Sequence, residues 1–321
     1  MGGENIKKAN NDLIYDYGSL KTFGFSSSIF SFVRNYKIYR KIVRVIHKIR
    51  PEIFIAVAYP GLNLLLCRYA KKIGAKVIYL LPPQIWVWGS FRKYFIKKWT
   101  DLVISIFPFE HQFYNNENIK VSYWQNPLFE ELKKYKRTDY KKKIGLMPGS
   151  RKNEIKRNLP VMIEAIQNFE RNSQEQFHNI EYFLILHPDS LSCEIFNYLD
   201  NHHLFAILHS GEKIKRPNPN LITITQNRYQ AMCDCDLLII CSGTASLEAA
   251  IMKIPQIFFN RPNFFDYHLF RYLIKIKEYN LANLHAEKKV VPSFVMRNKN
   301  VLLKKILFEL NKILTEKEIN A

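Results

Sequence analysis

The feature that most constrains this chain is an alternation of short aliphatic runs with amphipathic stretches, the rhythm of parallel α/β architecture. The first half predicts strands at 53–57, 76–81, 102–106 and 121–124, and helices at 62–73, 91–99 and 110–114. The second half predicts strands at 144–147, 182–186, 206–208, 221–225, 237–241 and 256–259. We therefore predict two Rossmann-like domains facing each other across a cleft. Nucleotides usually bind at the carboxyl ends of such parallel strands.

A basic stretch separates the two halves. Residues 133–143 are mostly Lys and Arg and only weakly apolar, as expected of a solvated linker between domains. We predict an N-terminal domain of residues 1–137 and a second domain of residues 138–297. A C-terminal helix, residues 298–321, is expected to join the N-terminal domain.

The net charge of the chain indicates which classes of partner it can attract. The chain has 48 basic and 28 acidic residues, a formal net charge of +20, which attracts nucleic acid, anionic lipid or phosphorylated substrates. No single block is typical of a nucleic-acid arm, so we predict no nucleic-acid partner.

The five cysteines form neither an even disulfide framework nor a paired zinc pattern: Cys67, Cys193, Cys233, Cys235 and Cys241. We predict reduced, structural thiols, no metal and no cofactor.

The N-terminal residues carry no recognisable export or lipid-attachment signal. Residues 1–8 lack an apolar segment, and Ile6 stands where a myristoylation signal requires Ser or Thr. The longest apolar stretch, 53–66, is interrupted by Pro60 and Gly61 and is too short to span a bilayer. We expect a cytoplasmic chain whose contact with a membrane is peripheral.

The segment Ser242-Gly243-Thr244-Ala245 follows a predicted strand and opens a helical run. Free amides and the positive dipole end of that helix suit the diphosphate of a nucleotide, and Gly243 allows close approach. An ordinary helix cap explains the same residues. Glu248, on the same helix, is either a ligand of a ribose hydroxyl or an acidic residue that complements the helix dipole.

A second loop of this kind is Pro148-Gly149-Ser150-Arg151. Arg151 could place its guanidinium against a phosphate, while Glu154 could pair with Arg151 or cap the helix. Neither loop matches the phosphate-binding pattern of kinases or the dinucleotide fingerprint of dehydrogenases, so both of those classes are disfavoured.

Two segments combine aromatic and basic residues. Residues 262–279 form one, and Trp86, Trp88, Arg92 and Lys93 repeat the pattern. Such a segment can lie among the headgroups of an anionic membrane, and packing against the other domain is an equal alternative.

Several of these motifs together resemble the lipid-A-disaccharide synthases. The residues that carry the resemblance are Pro83 to Trp88 with Arg92, Phe107-Pro108-Phe109-Glu110, Leu146 to Arg151 with Glu154, Ile155, Leu159 and Pro160, Ser242 to Ala245 with Leu247 and Glu248, and Pro255, Arg261 and Asn283. Their order and spacing are similar to the family's from near residue 1 to about residue 296.

The resemblance implies a GT-B glycosyltransferase. Such an enzyme moves a diacylated glucosamine from UDP to 2,3-diacylglucosamine 1-phosphate, with inversion and without a metal. By resemblance, the donor would be bound by Gly149, Ser150, Arg151, Ser242, Gly243, Thr244, Glu248 and Asn283. Trp86, Trp88 and Arg92 would lie on the acceptor or membrane side. The expected setting is the cytoplasmic face of the inner membrane, and a homodimer is possible.

The chain departs from the family pattern in three places. The family's opening strand-helix-strand unit has no counterpart before Met1. Ala58 and Gly61 stand where the catalytic Asp is expected, so Glu110 is the remaining candidate base, although helix capping explains it equally. Gln125 and Asn126 replace a Gly-His pair, and Ser293 and Met296 replace polar residues. A binding-only, degenerate or truncated relative, or a transferase for another lipid or sugar nucleotide, is the alternative.

Overall fold

The structure is a computed structural model that describes residues 29–85, 91–135, 142–172, 180–186, 195, 205–208, 221–225, 228–262, 278 and 280–319. The described strands form two sheets, and helices alternate with these strands along the chain, as the sequence predicts. Trp86, Trp88, Cys193 and most of the aromatic segment 262–279 lie outside these residues.

Within the described residues, the first sheet contains β1 (Ile53–Val57), β2 (Lys76–Leu80), β3 (Leu102–Ser105) and β4 (Val121–Tyr123), hydrogen-bonded in that order. The helices of this part are α1 (Ile29–Ile49), α2 (Pro60–Lys72), α3 (Arg92–Trp99) and α4 (Pro108–Asn116). β1 pairs with β2, and β2 with β3, in parallel. Each predicted strand here is confirmed to within a residue.

Local chemistry explains where α2 begins and ends. Pro60 occupies its first position, where the missing amide costs no hydrogen bond and the fixed φ suits a helix. Gly74 follows with φ of +91°, a backbone angle that favours glycine. The apolar face of α2 then packs on α1 through Ile38, Ile46, Leu62 and Leu66. The sequence did not predict α1.

The second sheet, over the described strands, is parallel throughout with the order β11-β10-β9-β5-β6-β8-β7. These strands are β5 (Lys143–Met147), β6 (Glu181–Ile185), β7 (Phe205–Leu208), β8 (Leu221–Thr225), β9 (Leu237–Ile240), β10 (Gln256–Asn260) and β11 (Ser293–Val295). The accompanying helices are α5 (Leu128–Leu132), α6 (Lys152–Asn172), α7 (Arg228–Cys233), α8 (Gly243–Ile251), α9 (Leu281–Ala286) and α10 (Lys299–Ile319). The predicted strands are again confirmed, while β11 was not predicted.

The C-terminal helix α10 packs on the second sheet. It packs against α6 and contributes its apolar face, Leu302, Leu303, Ile306, Leu310 and Leu314, to the core around the second sheet. Lys299 also pairs with Glu164 of α6. The C-terminal helix therefore covers part of the second sheet. Its predicted association with the N-terminal domain stays a prediction.

Packing divides the chain into two compact units. Among the described residues, unit 1 comprises 29–83, 92–104 and 118–122, and unit 2 comprises 84–85, 91, 105–117, 123–135 and the part from 142 onward. The predicted boundary at residue 137 lies outside the described residues and stays a prediction. In the part of the chain that the structure describes, no helix has the length and apolar character needed to cross a membrane.

Candidate active site

Two loops of unit 2 lie side by side at the carboxyl edge of the second sheet. β5 and β9 are paired neighbours, with Met147 opposite Ile240. The backbone amide of Cys241 donates to the carbonyl of Met147 at 3.0 Å, so the pairing continues to the point where both loops begin. The loops predicted to hold anions, 148–151 and 242–244, are thus brought together.

The first loop is shaped around Glu154. Gly149 has φ of +121°, and a Cβ there would lie 2.8 Å from Glu154 Oε2, so only glycine fits. The amides of Ser150 and Arg151 both donate to Glu154 Oε2 at 3.3 Å, and Arg151 Nη1 donates to Glu154 Oε1 at 3.0 Å. Glu154 therefore performs both predicted roles, cap and ion-pair partner. The Arg151 side chain is 67% exposed and can turn to a ligand.

Asn158 anchors the same loop from beneath. It is buried, and its Nδ2 donates to the carbonyl of Pro148 at 3.0 Å. This amide ties the first turns of α6 to the carboxyl end of β5. The sequence did not single out Asn158, because a polar residue in an amphipathic helix is ordinarily solvated.

The second loop leads into α8. Ser242 is the N-cap residue with extended backbone angles, φ −112° and ψ 130°, and its side chain makes no capping hydrogen bond. Thr244 is exposed, and a Cβ on Gly243 would lie 3.4 Å from Leu281. The first amides of a helix have no partner within it. The start of α8 thus offers amides, two hydroxyl groups and the positive dipole end.

Glu248 lies further along α8 and is buried. Arg228 Nη2 donates to Glu248 Oε2 in an ion pair, and the Tyr229 hydroxyl donates to Oε1 at 3.4 Å. Burial lowers the pKa of Arg228, with the neighbouring Tyr229 phenol opposing that shift. Both partners come from α7, and no spacing in the sequence predicted that α7 would meet α8.

Asn283 is held entirely within the protein. Its Nδ2 donates to Glu278 Oε2 and to the carbonyl of Val291, both at 2.9 Å. Its Oδ1 accepts from the amides of Val290 and Val291 at 2.9 and 2.8 Å. The two donors and two acceptor positions of this amide are therefore occupied. A role for Asn283 in donor binding stays a prediction, and in this arrangement the residue supports the 290–291 segment.

A buried polar network, also not predicted, fixes α9 against α8. Asn280 caps α9 by accepting from the amides of Ala282 and Asn283, and its Nδ2 donates to Ser246 Oγ at 2.7 Å. Ser246 in turn donates to Gln256 Oε1 at 2.6 Å, and Gln256 Nε2 donates to the Ser246 carbonyl at 2.9 Å. This network positions Leu281 beside Gly243 at the start of α8.

The C-terminal half of α9 borders a cavity of about 450 Å³. Its walls are mainly apolar, and His285 lies among them with its ring centroid 5.2 Å from that of Phe129. Burial lowers the pKa of His285. The cavity is lined by Leu247, Ala250 and Ile251 of α8, whereas residues 148–151 and 242–244 do not line it.

In unit 1, the carboxyl end of β1 has an unusual backbone. Ala58 and Tyr59 have φ of 48° and 47°, in the left-handed region that non-glycine residues rarely adopt. Asn63 Nδ2 donates to the carbonyls of Val57 and Ala58 at 2.9 and 2.7 Å, and Tyr79 donates to the Ala58 carbonyl at 2.8 Å. Side chains therefore hold this turn, at the position where the resemblance leads us to expect the catalytic Asp.

The structure describes the candidate base Glu110 and one of the three predicted acceptor-side residues, Arg92. Glu110, in the first turn of α4, is 3% exposed and groups with unit 2. Arg92 begins α3, where burial lowers its pKa. The predicted Trp86 and Trp88 lie outside the described residues.

The described cysteines behave as structural thiols. Burial raises the pKa of Cys67 to about 12 and raises that of Cys235 and Cys241 as well. For Cys241 the neighbouring Glu154 carboxylate adds to the effect. Among the residues that the structure describes, no group of three His, Cys, Asp or Glu side chains is placed to hold a metal ion.

Comparison with known proteins decides the family. The sequence profile of the family described as lipid-A-disaccharide synthetase matches residues 1–320. The chain belongs to the lipid-A-disaccharide synthetase family. It is 29% identical to the lipid-A-disaccharide synthase of Nitrosococcus oceani, over 99% of this chain and 79% of that protein. It is 30% identical to lipid-A-disaccharide synthase 1 of Legionella pneumophila strain Lens, over 94% of this chain and 77% of that protein.

Solved structures agree on the fold. The UDP-GlcNAc 2-epimerase of Neisseria meningitidis, bound to UDP-GlcNAc, superposes with a TM-score of 0.56 at 11% identity, covering 98% of this chain and 81% of that one. The MnaA protein of S. aureus, solved with UDP, gives 0.51 at 12% identity, covering 81% and 72%. At this identity the likeness concerns the fold alone, and it confirms the predicted α/β fold of GT-B type.

Family membership confirms the resemblance and the class of reaction. Lipid-A-disaccharide synthetases are glycosyltransferases that use UDP-diacylglucosamine to form the lipid A disaccharide. The two loops of unit 2, which carry part of the resemblance, have a defined geometry in the structure, and their role in binding the donor stays a prediction.

Proposed function

We propose that this chain joins UDP-2,3-diacylglucosamine to 2,3-diacylglucosamine 1-phosphate, and that unit 2 binds the UDP part of the donor. The observation that carries the donor site is the adjacency of two anion-ready loops at neighbouring strand ends, where Cys241 donates to Met147 at 3.0 Å. Open parallel sheets bind nucleotides at this edge. The α8 amides and the small residues Ser242, Gly243 and Thr244 would hold the diphosphate.

Arg151 would supply the cation of the site. Its guanidinium is exposed, and in the described part of the chain it donates to Glu154, in the first turn of α6, at 3.0 Å. Exchanging that partner for a diphosphate oxygen keeps a charge-assisted hydrogen bond and brings a positive charge to the leaving group. Glu248 would bind a ribose hydroxyl, since it lies on the helix whose start holds the diphosphate.

Transfer of the sugar needs a base for the acceptor hydroxyl and a group that stabilises the departing UDP. The acceptor hydroxyl oxygen attacks the anomeric carbon, its proton passes to a carboxylate, and the bond to the diphosphate breaks with inversion. Arg151 and the α8 dipole stabilise the charge that develops on the departing UDP. Since Ala58 and Gly61 offer no carboxylate at the end of β1, Glu110 is the proposed base.

A surface on α3 supports peripheral membrane binding at the inner face of the inner membrane. Tyr94 is 67% exposed and Phe95 38%, and the neighbouring Lys97 and Lys98 are exposed as well. Exposed aromatic rings between lysines suit the headgroup region of an anionic bilayer. Sedimentation with vesicles rich in phosphatidylglycerol tests this surface, and Tyr94→Ser with Phe95→Ser should reduce binding.

A homodimer stays a prediction that sedimentation equilibrium of the purified chain tests.

The donor site is tested by calorimetric titration of the chain with UDP. Arg151→Ala should weaken binding about tenfold or more, because it removes a charged hydrogen bond. Arg171→Ala, at the exposed far end of the same helix, is the matched control and should leave the affinity unchanged. Equal affinities for all three proteins would contradict the donor site.

Ala58 and Gly61 favour one alternative, a relative that binds UDP without turnover. Glu110→Gln separates the two cases, because it keeps the size of the side chain and removes its basicity. If Glu110 is the base, the variant binds UDP normally and loses transfer by about a hundredfold or more. Undiminished transfer by the variant would exclude Glu110, and UDP binding without any transfer by the parent chain would establish the binding-only reading.

A further inference from the structure

Glu248 of the proposed donor site is paired with Arg228, a residue that has no role assigned so far. Glu248 is 3% exposed at its side chain, and Arg228, which pairs with it, is 33% exposed. Removing a carboxylate such as Glu248 from water is costly, and a buried ion pair stabilises a fold only weakly, so the role of this pair is to be sought in its geometry. Here the pair joins α7 to α8, the helix that begins at Ser242-Gly243-Thr244.

The two oxygens of Glu248 are engaged unequally. Oε2 accepts from Arg228 Nη2 in close contact. Oε1 has a weaker interaction, with the Tyr229 hydroxyl at 3.4 Å, beyond the usual length of a hydroxyl hydrogen bond. Oε1 therefore retains capacity for a stronger donor, and the phenol hydroxyl occupies the position that such a donor would take.

The Tyr229 ring is itself held in place. Its face lies 5.6 Å from the Arg228 guanidinium, and its centroid is 5.2 Å from that of Tyr135. Tyr229 is partly exposed, and its hydroxyl contacts Glu248 Oε1. A small displacement of this ring would open Oε1 while Arg228 keeps Oε2 fixed.

We propose that Arg228 is a positioning residue that orients Glu248 so that Oε1 can accept a ribose hydroxyl of the UDP donor, with Tyr229 as the group displaced. This inference rests on the proposed donor site. The pair would give nucleotide specificity. While Arg228 holds one oxygen of Glu248, the other oxygen would bind only nucleotides that carry the matching ribose hydroxyl. Arg228 touches Glu248 and not the reacting atoms.

The test compares UDP with 2′-deoxy-UDP and 3′-deoxy-UDP by calorimetry on the full chain. The parent protein should bind at least one deoxy analogue about tenfold to a hundredfold more weakly than UDP, the range expected for a hydrogen bond to a charged group. In Arg228→Met, UDP should bind about as weakly as that analogue, so the discrimination collapses to less than about threefold. Arg228→Lys should recover part of the discrimination, since it returns the charge without the fork.

Two further readouts separate positioning from a structural role. Tyr229→Phe should keep the discrimination in full, and UDP should bind at least as well as to the parent, since the displaced hydroxyl is gone. In turnover, Arg228→Lys should raise KM for the donor more than it lowers kcat, because the ribose lies away from the bond that breaks. Circular dichroism checks whether Arg228→Met folds. If it does not fold, the same nucleotide comparison is made with Arg228→Lys alone.

The outcomes are distinct. If Arg228→Met or Arg228→Lys weakens all three nucleotides by one common factor, the pair is structural and the proposal fails while the donor site stands. A parent protein that binds UDP without regard to its ribose hydroxyls also overturns the role of Arg228 alone. No UDP binding by the parent protein would refute the proposed donor site and this inference with it.

Discussion

Replacing Gly149 with Ala tests whether the first loop has the shape that the donor needs. Gly149 has φ of +121°, which costs an L-residue roughly 1–3 kcal/mol. The added Cβ would also lie 2.8 Å from Glu154 Oε2 and 2.9 Å from Glu154 Cβ, so Glu154 must move. Moving it loosens the contacts with the amides of Ser150 and Arg151, worth about 0.5–2 kcal/mol in helix caps. The free energy of unfolding should therefore fall by roughly 2–5 kcal/mol.

Two other glycines provide matched controls. Gly74 also has positive φ, +91°, but a Cβ there meets nothing within 4 Å, so Gly74→Ala should show the backbone cost alone and bind UDP normally. Gly61 has open space and ordinary angles, so Gly61→Ala should be neutral or slightly stabilising. Urea unfolding gives stability, and UDP titration gives affinity. The reasoning is refuted if Gly149→Ala is no less stable than Gly74→Ala and binds UDP like the parent.

Three further predictions concern packing and charge. Asn283→Asp should cost about 2–4 kcal/mol in urea unfolding, because a second carboxylate then faces Glu278, and UDP affinity of the folded protein should be unchanged. Gly145→Ala should cost about 1–3 kcal/mol or more, because its Cβ would clash with Leu238 Cδ2 and approach Cys235 Sγ to 3.0 Å; a stable variant would contradict the packing. The hydrogen bond from Lys71 lowers the pKa of Asp101, so its stabilisation is present above the unfolded pKa near 3.9 and is lost as pH falls through the folded value. Lys71→Met should cost under about 1 kcal/mol at pH 7, and the difference from the parent should shrink in acid unfolding.

The strands and the two loops could be predicted because their signals are local. A buried parallel strand needs an aliphatic run, and a strand-to-helix turn that approaches a ligand needs small residues such as Gly149 and Gly243. Alternation of such runs also fixes the fold class. The capping and pairing roles of Glu154 follow from its spacing to Arg151 along one helix.

The rest depends on tertiary contacts that no local pattern encodes. The ion pair of Arg228 with Glu248 joins residues 20 apart, and the bond from Asn280 to Ser246 joins residues 34 apart. The packing of α10 on α6 could not be predicted, because an amphipathic helix does not specify which apolar surface it covers. Asn283 was predicted as a ligand from the resemblance, whereas its hydrogen bonds inside the protein are visible only in the structure.

The measurement that tests the central claim most directly is the formation of disaccharide from UDP-2,3-diacylglucosamine and 2,3-diacylglucosamine 1-phosphate by the purified chain, followed together with UDP release. We predict one UDP per disaccharide, with the rate reduced about tenfold or more in Arg151→Ala and unchanged in Arg171→Ala. UDP binding without any disaccharide, or equal rates in the parent and Arg151→Ala, would contradict it.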